Sequence, residues 1–118
     1  MLKRHNRLRK QRQIDRIFKE GRRFHSKDAT IHVSWEKDGV EYPPRGTIVV
    51  SKKVAKKATD RNRIKRQVRS IIESIIDELP ANLLFIIVVR SDFAGKTYQE
   101  IEAEIYTLLK RSKIWPQT

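Results

Sequence analysis

The chain has 118 residues, enough for one hydrophobic core and too few for two of ordinary size. Hydrophobic residues make up 38% and charged residues 35%, and 27 Lys and Arg stand against 14 Asp and Glu, for a net charge of +13 and a pI near 10.4. Such a balance is the footprint of a protein that binds a polyanion, nucleic acid first among them. The absence of Cys excludes a disulfide framework, a thiolate metal site and a Cys nucleophile. The longest apolar run, Leu83–Val89, falls far short of the roughly 20 residues a bilayer requires. The basic N-terminus lacks the apolar stretch of a signal peptide. These features predict a cytoplasmic protein with no membrane partner.

The positive charge is concentrated. Residues 1–27 hold eleven basic side chains against two acidic, and residues 52–69 hold nine against one, Asp60. Residues 28–51 and 70–118 are each net −2. Two separate basic blocks predict two stretches of phosphate backbone, or one polyanion held at two places. A uniformly solubilising surface would mix the signs.

In chain order, residues before about Arg9 form a basic segment expected to bury little and to be mobile without a partner. Gln11–Lys19 has helical spacing, with Ile14, Ile17 and Phe18 on one face and Gly21 ending it. Ala29–Trp35 alternates strictly between apolar and polar residues, as a half-buried strand does. After the Asp38-Gly39 turn and Pro43-Pro44, the β-branched Thr47–Val50 is expected to pair with it as an antiparallel hairpin. A long helix follows, with Thr59 or Asp60 as its expected N-cap. Ile64, Val68, Ile71, Ile72, Ile75, Ile76 and Leu79 make one continuous apolar stripe along it, and Pro80 lies beyond its end. Leu83–Val89 is a central strand covered on both faces, and Thr97–Arg111 a last helix with Ile101, Ile105, Leu108 and Leu109 inward. The fold class is therefore α+β, a single domain over residues 1–118 with helices packed on a mixed sheet.

The segment from Ser51 to Arg69 carries the most information. With the apolar stripe facing the sheet, Asn62, Arg63, Arg66 and Arg69 fall on the exposed half of the helix, and Arg61 and Lys65 at its margin. Arginine suits phosphate because its planar fork makes bidentate hydrogen bonds and stays charged. Like charges at i, i+4 destabilise a helix by a few tenths of a kcal/mol per pair, so a merely solvated face would mix signs. Lys52, Lys53, Lys56 and Lys57 extend the same field.

These residues also carry a family resemblance. Val49-Val50-Ser51-Lys52-Lys53-Val54 followed by Arg61-Asn62-Arg63-Ile64-Lys65-Arg66 resembles the signature of the bacterial ribonuclease P protein. Arg7-Leu8-Arg9-Lys10, Ile17-Phe18-Lys19-x-Gly21, Leu79-Pro80, Ile86–Arg90 and Leu108-Leu109-Lys110-Arg111 extend the likeness over nearly the whole chain. The resemblance implies the element order α-β-β-β-α-β-α around a four-stranded sheet, similar to a domain of ribosomal proteins, with Arg22–His25 as an extra short strand. It implies the protein subunit of a ribonucleoprotein that removes the 5′ leader from precursor tRNA, with catalysis and Mg²⁺ belonging to the RNA and none bound by the protein alone. The partners implied are the catalytic RNA and precursor tRNA, and not DNA. By resemblance, Lys52, Lys53, Arg61, Asn62, Arg63, Lys65, Arg66 and Arg69 face the catalytic RNA. Ile14, Phe18, His32 and Arg90 line a groove for the single-stranded leader, with Phe18 as the stacking residue. The family commonly has aromatics where Ile14 and His32 stand, and glycine where Ala55 stands.

A nuclease acting through the protein itself would need carboxylates converging on metal. The acids here, Glu73, Asp77, Glu78, Glu100, Glu102 and Glu104 among them, are scattered, and His5, His25 and His32 have no paired nucleophile. A helix-turn-helix DNA binder is excluded because the basic helix follows a strand. A ribosomal RNA-binding protein shares the charge and size, and only the central motif separates it.

Overall fold

The computed structural model describes residues 2–90, 93 and 95–116. Helix α1 (Gln11–Glu20) is followed by strands β1 (Arg22–His25), β2 (Ala29–Trp35) and β3 (Arg45–Val50), then α2 (Ala58–Ile75), β4 (Leu83–Val89) and α3 (Tyr98–Arg111). Short 3-10 turns cover Arg4–Asn6 and Ile76–Glu78. This is the expected α-β-β-β-α-β-α order, including the extra strand at Arg22–His25.

The strand order is β1-β2-β4-β3. β4 pairs antiparallel with β2, Ile31 opposite Ile87, and parallel with β3, Ile48 opposite Ile87. The expected hairpin between β2 and β3 is therefore wrong. The two strands do run in opposite directions, but β4 lies between them. Leu83–Val89 is apolar at every position and is stable only where both faces and both edges are covered, so it takes the centre. β2 and β3 alternate and flank it.

The alternation assigns the two sheet faces. Ala29, Ile31, Val33, Ile48, Val50, Phe85 and Ile87 point to one side, where they pack on Ile64, Val68, Ile71 and Ile72 of α2 and Ile101, Ile105 and Leu108 of α3. Leu84 and Ile86 point to the other side and pack on Ile17 of α1 and on Leu8, with Ile14, Val49 and Val88 half-buried around them. Burying an aliphatic side chain of this size contributes about 1.5–3 kcal/mol, so the α2/α3 side is the main core and α1 clamps a smaller one.

Two glycines are fixed by close approach. A Cβ on Gly21 would stand 2.6 Å from the Ile17 carbonyl oxygen and 2.9 Å from that of Val33, so only glycine lets α1 turn straight into β1. A Cβ on Gly46 would stand 2.2 Å from the ring of Phe85, its neighbour across β3 and β4.

The helix ends differ in chemistry. Helix α2 begins at Ala58 with Lys57 as its N-cap and no side-chain cap, two or three residues before the expected N-cap at Thr59 or Asp60. Arg61 compensates by donating from Nη1 to the carbonyls of Ala55 (2.9 Å) and Lys56 (2.8 Å). Helix α3 has a full capping box, with Thr97 Oγ1 accepting from Glu100 N–H and Glu100 Oε1 from Thr97 N–H. Its C-terminus is a Schellman motif. Lys113 N–H donates to Lys110 O and Ile114 N–H to Leu109 O, with Lys113 itself left-handed at φ 61°.

The N-terminal segment, expected to bury little, does the opposite. Leu2, Asn6 and Leu8 are buried, Asn6 Nδ2 donates to Pro44 O at 2.8 Å, and Leu8 N–H donates to Gly46 O at 3.0 Å. The segment runs along the outer edge of β3, where Arg7 bridges to Gly46 in parallel fashion. A free strand edge offers backbone groups to any chain with matching apolar residues, and Leu2 and Leu8 supply them.

Candidate nucleic-acid interface

Helix α2 presents the cationic face that its periodicity predicts, except that Arg69, expected on the exposed half, is half-buried. Ile64, Val68, Ile71, Ile72 and Ile75 are buried against the sheet, Asn62, Arg63 and Arg66 are exposed, and Arg61, Lys65 and Arg69 are half-buried at the margin. Lys52 and Lys53 stand exposed on the turn after β3, which closes by hydrogen bonds from Val54 and Ala55 N–H to Ser51 O. Arg61 also holds backbone, the carbonyls of Ala55 and Lys56, so it stiffens the loop that carries the lysines.

The structure joins what the sequence separates. Arg7 and Arg9 of the first basic block and Arg69 of the second line one cleft of about 230 Å³, floored by Leu2, Leu8 and Ile48. Sequence reasoning missed Arg7 and Arg9 here because their position depends on the edge pairing of the N-terminal segment with β3. The apolar Leu2 and Leu8 within an otherwise basic segment were the available signal.

The α1 side of the sheet forms the second candidate surface. The rings of Phe18 and His32 meet edge to face, with centroids 4.8 Å apart and planes at 73°, and Phe18 remains 43% exposed. Ile14 lies half-buried on the same side of the sheet, packed against the cluster of Leu8, Ile17, Leu84 and Ile86. Burial holds the His32 pKa below its ordinary 6.5, and the charges of Arg23 and His25 push it the same way. Arg90 stands at the end of β4, where Nη2 donates to the carbonyls of Ser26, Lys27 and Ala29 and so pins the β1–β2 turn. Phe18 and His32 are thus brought together, with Ile14 one helical turn before Phe18 on α1, whereas Arg90 lies four positions along β4 from His32's partner Ile86, at the β1–β2 turn, with part of its guanidinium committed.

Another cluster holds this surface in shape. Glu36 accepts from Arg45 Nη2 at 2.8 Å and Gln13 Nε2 at 3.3 Å, and Arg16 lies 4.0 Å away, tying α1 to β3 across the end of β2. Several other acids have structural work too. Glu104 accepts from Ser26 Oγ and Asp28 N–H, Lys96 pairs with Asp28 at 3.0 Å, and Glu102 accepts from the Tyr106 hydroxyl. Among the described residues, no three metal-ligating side chains converge, and no helix is long and apolar enough to cross a membrane.

Fold and surface together define a class: a small α+β domain with a one-signed cationic helix beside an aromatic, half-open sheet face. The family model for ribonuclease P matches residues 2–113. The chain is 31% identical over 114 residues to the ribonuclease P protein component of Pseudanabaena, covering 97% of both chains, and 31% identical over 112 residues to that of Bacillus cereus, covering 94% of both. Among solved structures, the RNase P protein of Thermotoga maritima superposes with a TM-score of 0.76 at 30% identity, over 89% of this chain and 96% of that one. That of Staphylococcus aureus has a TM-score of 0.81 at 24% identity, over 93% and 97%, a likeness of fold. The chain belongs to the ribonuclease P protein family, whose members are protein components of a tRNA-processing ribonucleoprotein.

Proposed function

We propose that this protein binds the catalytic RNA of ribonuclease P through α2 and the turn before it, and the 5′ leader of precursor tRNA through the α1 side of the sheet. Lys52, Lys53, Arg61, Asn62, Arg63, Lys65, Arg66 and Arg69 take the catalytic RNA. Ile14, Phe18, His32 and Arg90 take the leader, with Phe18 under a base and Arg90 near phosphate. The observation that carries this reading is the single sign of the exposed α2 face, held rigid by an apolar stripe buried along its length. Phosphate repays such like-charge crowding.

Endonucleolytic removal of the leader is then the work of the RNA and its Mg²⁺ in the cytoplasm, with DNA no partner. The protein's acids support this assignment by their dispersal, since Glu100, Glu102 and Glu104 are engaged in a cap, a tyrosine contact and a turn. The test is reconstitution. Arg63→Ala and Arg66→Ala should weaken assembly with the catalytic RNA and flatten its salt dependence by about one unit of slope each. Their stability should change by less than about 0.5 kcal/mol, because both lie opposite the buried stripe. A large fall in thermal midpoint would make these arginines structural. Leader removal by the protein without RNA, abolished by one acidic substitution, would overturn the assignment of catalysis.

A further inference from the structure

A third surface lies on the sheet face opposite Phe18. The start of β1, the end of β2 and the chain leaving α3 enclose a cleft of about 560 Å³. Trp35 and Phe24 give it an aromatic wall, Arg22 and Lys113 stand at it as cations, and its described lining holds no acidic side chain. Trp35 is 40% exposed, an uncommon state for so large an apolar ring, and Arg22 and Lys113 are both exposed. Phe24 packs toward the α2/α3 core and Trp35 shares the face of its partner Leu83, while the other edge of Trp35 borders a second cleft with Arg16 and Glu20 of α1 and with Glu36 and Asp38.

Lys113 supplies an independent argument. It occupies the left-handed position of the Schellman motif that closes α3, where glycine is the residue of least cost. A non-glycine residue there gives up stability, and violations of local preference concentrate where a side chain is needed for function. The motif places the lysine in the lining of the same cleft as Trp35.

We infer that this cleft holds one unpaired nucleotide of RNA, its base against Trp35 and its phosphate between Arg22 and Lys113. Aromatic faces beside backbone-tracking cations are the means by which single strands are held, and the volume falls in the range of small-ligand sites. The inference rests on the reading above that the partner is RNA. The nucleotide belongs either to the catalytic RNA or to the precursor.

The test exploits the left-handed lysine, because Lys113→Gly should act with opposite signs. It should raise the thermal midpoint by roughly 2–5 °C while weakening RNA binding several-fold. Trp35→Leu should weaken binding about fivefold or more, Trp35→Phe should retain most of it, and RNA should quench an indole signal that Trp35→Leu lacks. Measuring the catalytic RNA with protein alone, and precursor against mature tRNA with the holoenzyme, identifies which RNA supplies the nucleotide. Arg63→Ala runs alongside. Loss of binding at Arg63→Ala with none at folded Lys113→Gly and Trp35→Leu overturns the cleft and leaves the helix assignment standing. Loss at the cleft variants alone supports the cleft and removes the helix assignment. A Trp35 signal that changes with protein concentration in the absence of RNA would make the cleft a contact between copies and overturn the inference.

Discussion

Phe18 and His32 touch edge to face, so the protonation of one ring changes the surroundings of the other. Burial, then the charges of Arg23 and His25, keep His32 neutral to a lower pH than a free imidazole. The unfolded chain, with an ordinary His near 6.5, therefore binds a proton that the folded chain resists. Stability contributed by the neutral ring is complete above the unfolded pKa and falls as pH drops from about 6.5 toward the folded pKa. His32→Gln should remove that component. Thermal midpoints of the two proteins, followed from pH 8 to pH 5, should converge on the acid side relative to their separation at neutrality. A separation independent of pH would show that His32 does not titrate in this window. A phosphate brought to the groove should act in the opposite sense, drawing the proton back onto His32.

At the scale of elements, β4 and Gly46 organise the sheet. Phe85 lies at its centre, and its ring covers Gly46 so closely that a methyl group would stand 2.2 Å from it. The same glycine accepts from Leu8 N–H and so anchors the N-terminal segment. Gly46→Ala should therefore cost about 1–3 kcal/mol by overpacking, read as a lower denaturant midpoint with an unchanged slope. It should also loosen Leu2 and Leu8, which amide hydrogen exchange would register at Leu8. Wild-type stability in this variant would mean that Phe85 moves aside at no cost. The strands, the two long helices and the inward residues of each were legible because period-2 and period-3.6 patterns are local. Strand order was not, because β2 next to β3 and β2 next to β4 satisfy the same alternation, and only the all-apolar β4 decides between them. The start of α2 was misplaced for a similar reason. Thr59 and Asp60 have good capping chemistry, but Arg61 ties down the preceding carbonyls instead. The cationic face of α2 was legible, the short β1 only by family likeness, and the Glu36 cluster and the Trp35 cleft not at all, since each unites distant segments.

For the whole molecule, the two basic blocks are no longer two. The N-terminal segment carries Arg7 and Arg9 to the side of Arg69, so both blocks contribute to one cationic surface around α2, while α1 brings Phe18 to the opposite face of the sheet. On the proposed function, the large RNA lies on one side and the single strand on the other, and the two do not compete for the same arginines. The division makes Phe18 the position at which the two roles separate. Phe18→Ala should weaken binding of precursor tRNA by the holoenzyme by about 1–3 kcal/mol, the value of one stacked base, and leave mature tRNA, which has no leader, nearly unaffected. The loss belongs at the lower end of that range, because Ile14 and His32 offer less stacking surface than aromatics would. Phe18 is 43% exposed, so its truncation should cost far less than the 3–5 kcal/mol typical of a buried Phe, and circular dichroism should find the variant folded. Arg63→Ala should behave in the complementary way, lowering assembly with the catalytic RNA whichever tRNA is present. The comparison requires saturating protein, so that incomplete assembly does not imitate a substrate defect. Equal losses for precursor and mature tRNA in folded Phe18→Ala would remove Phe18 from the leader path and assign its ring to support of the α1 clamp.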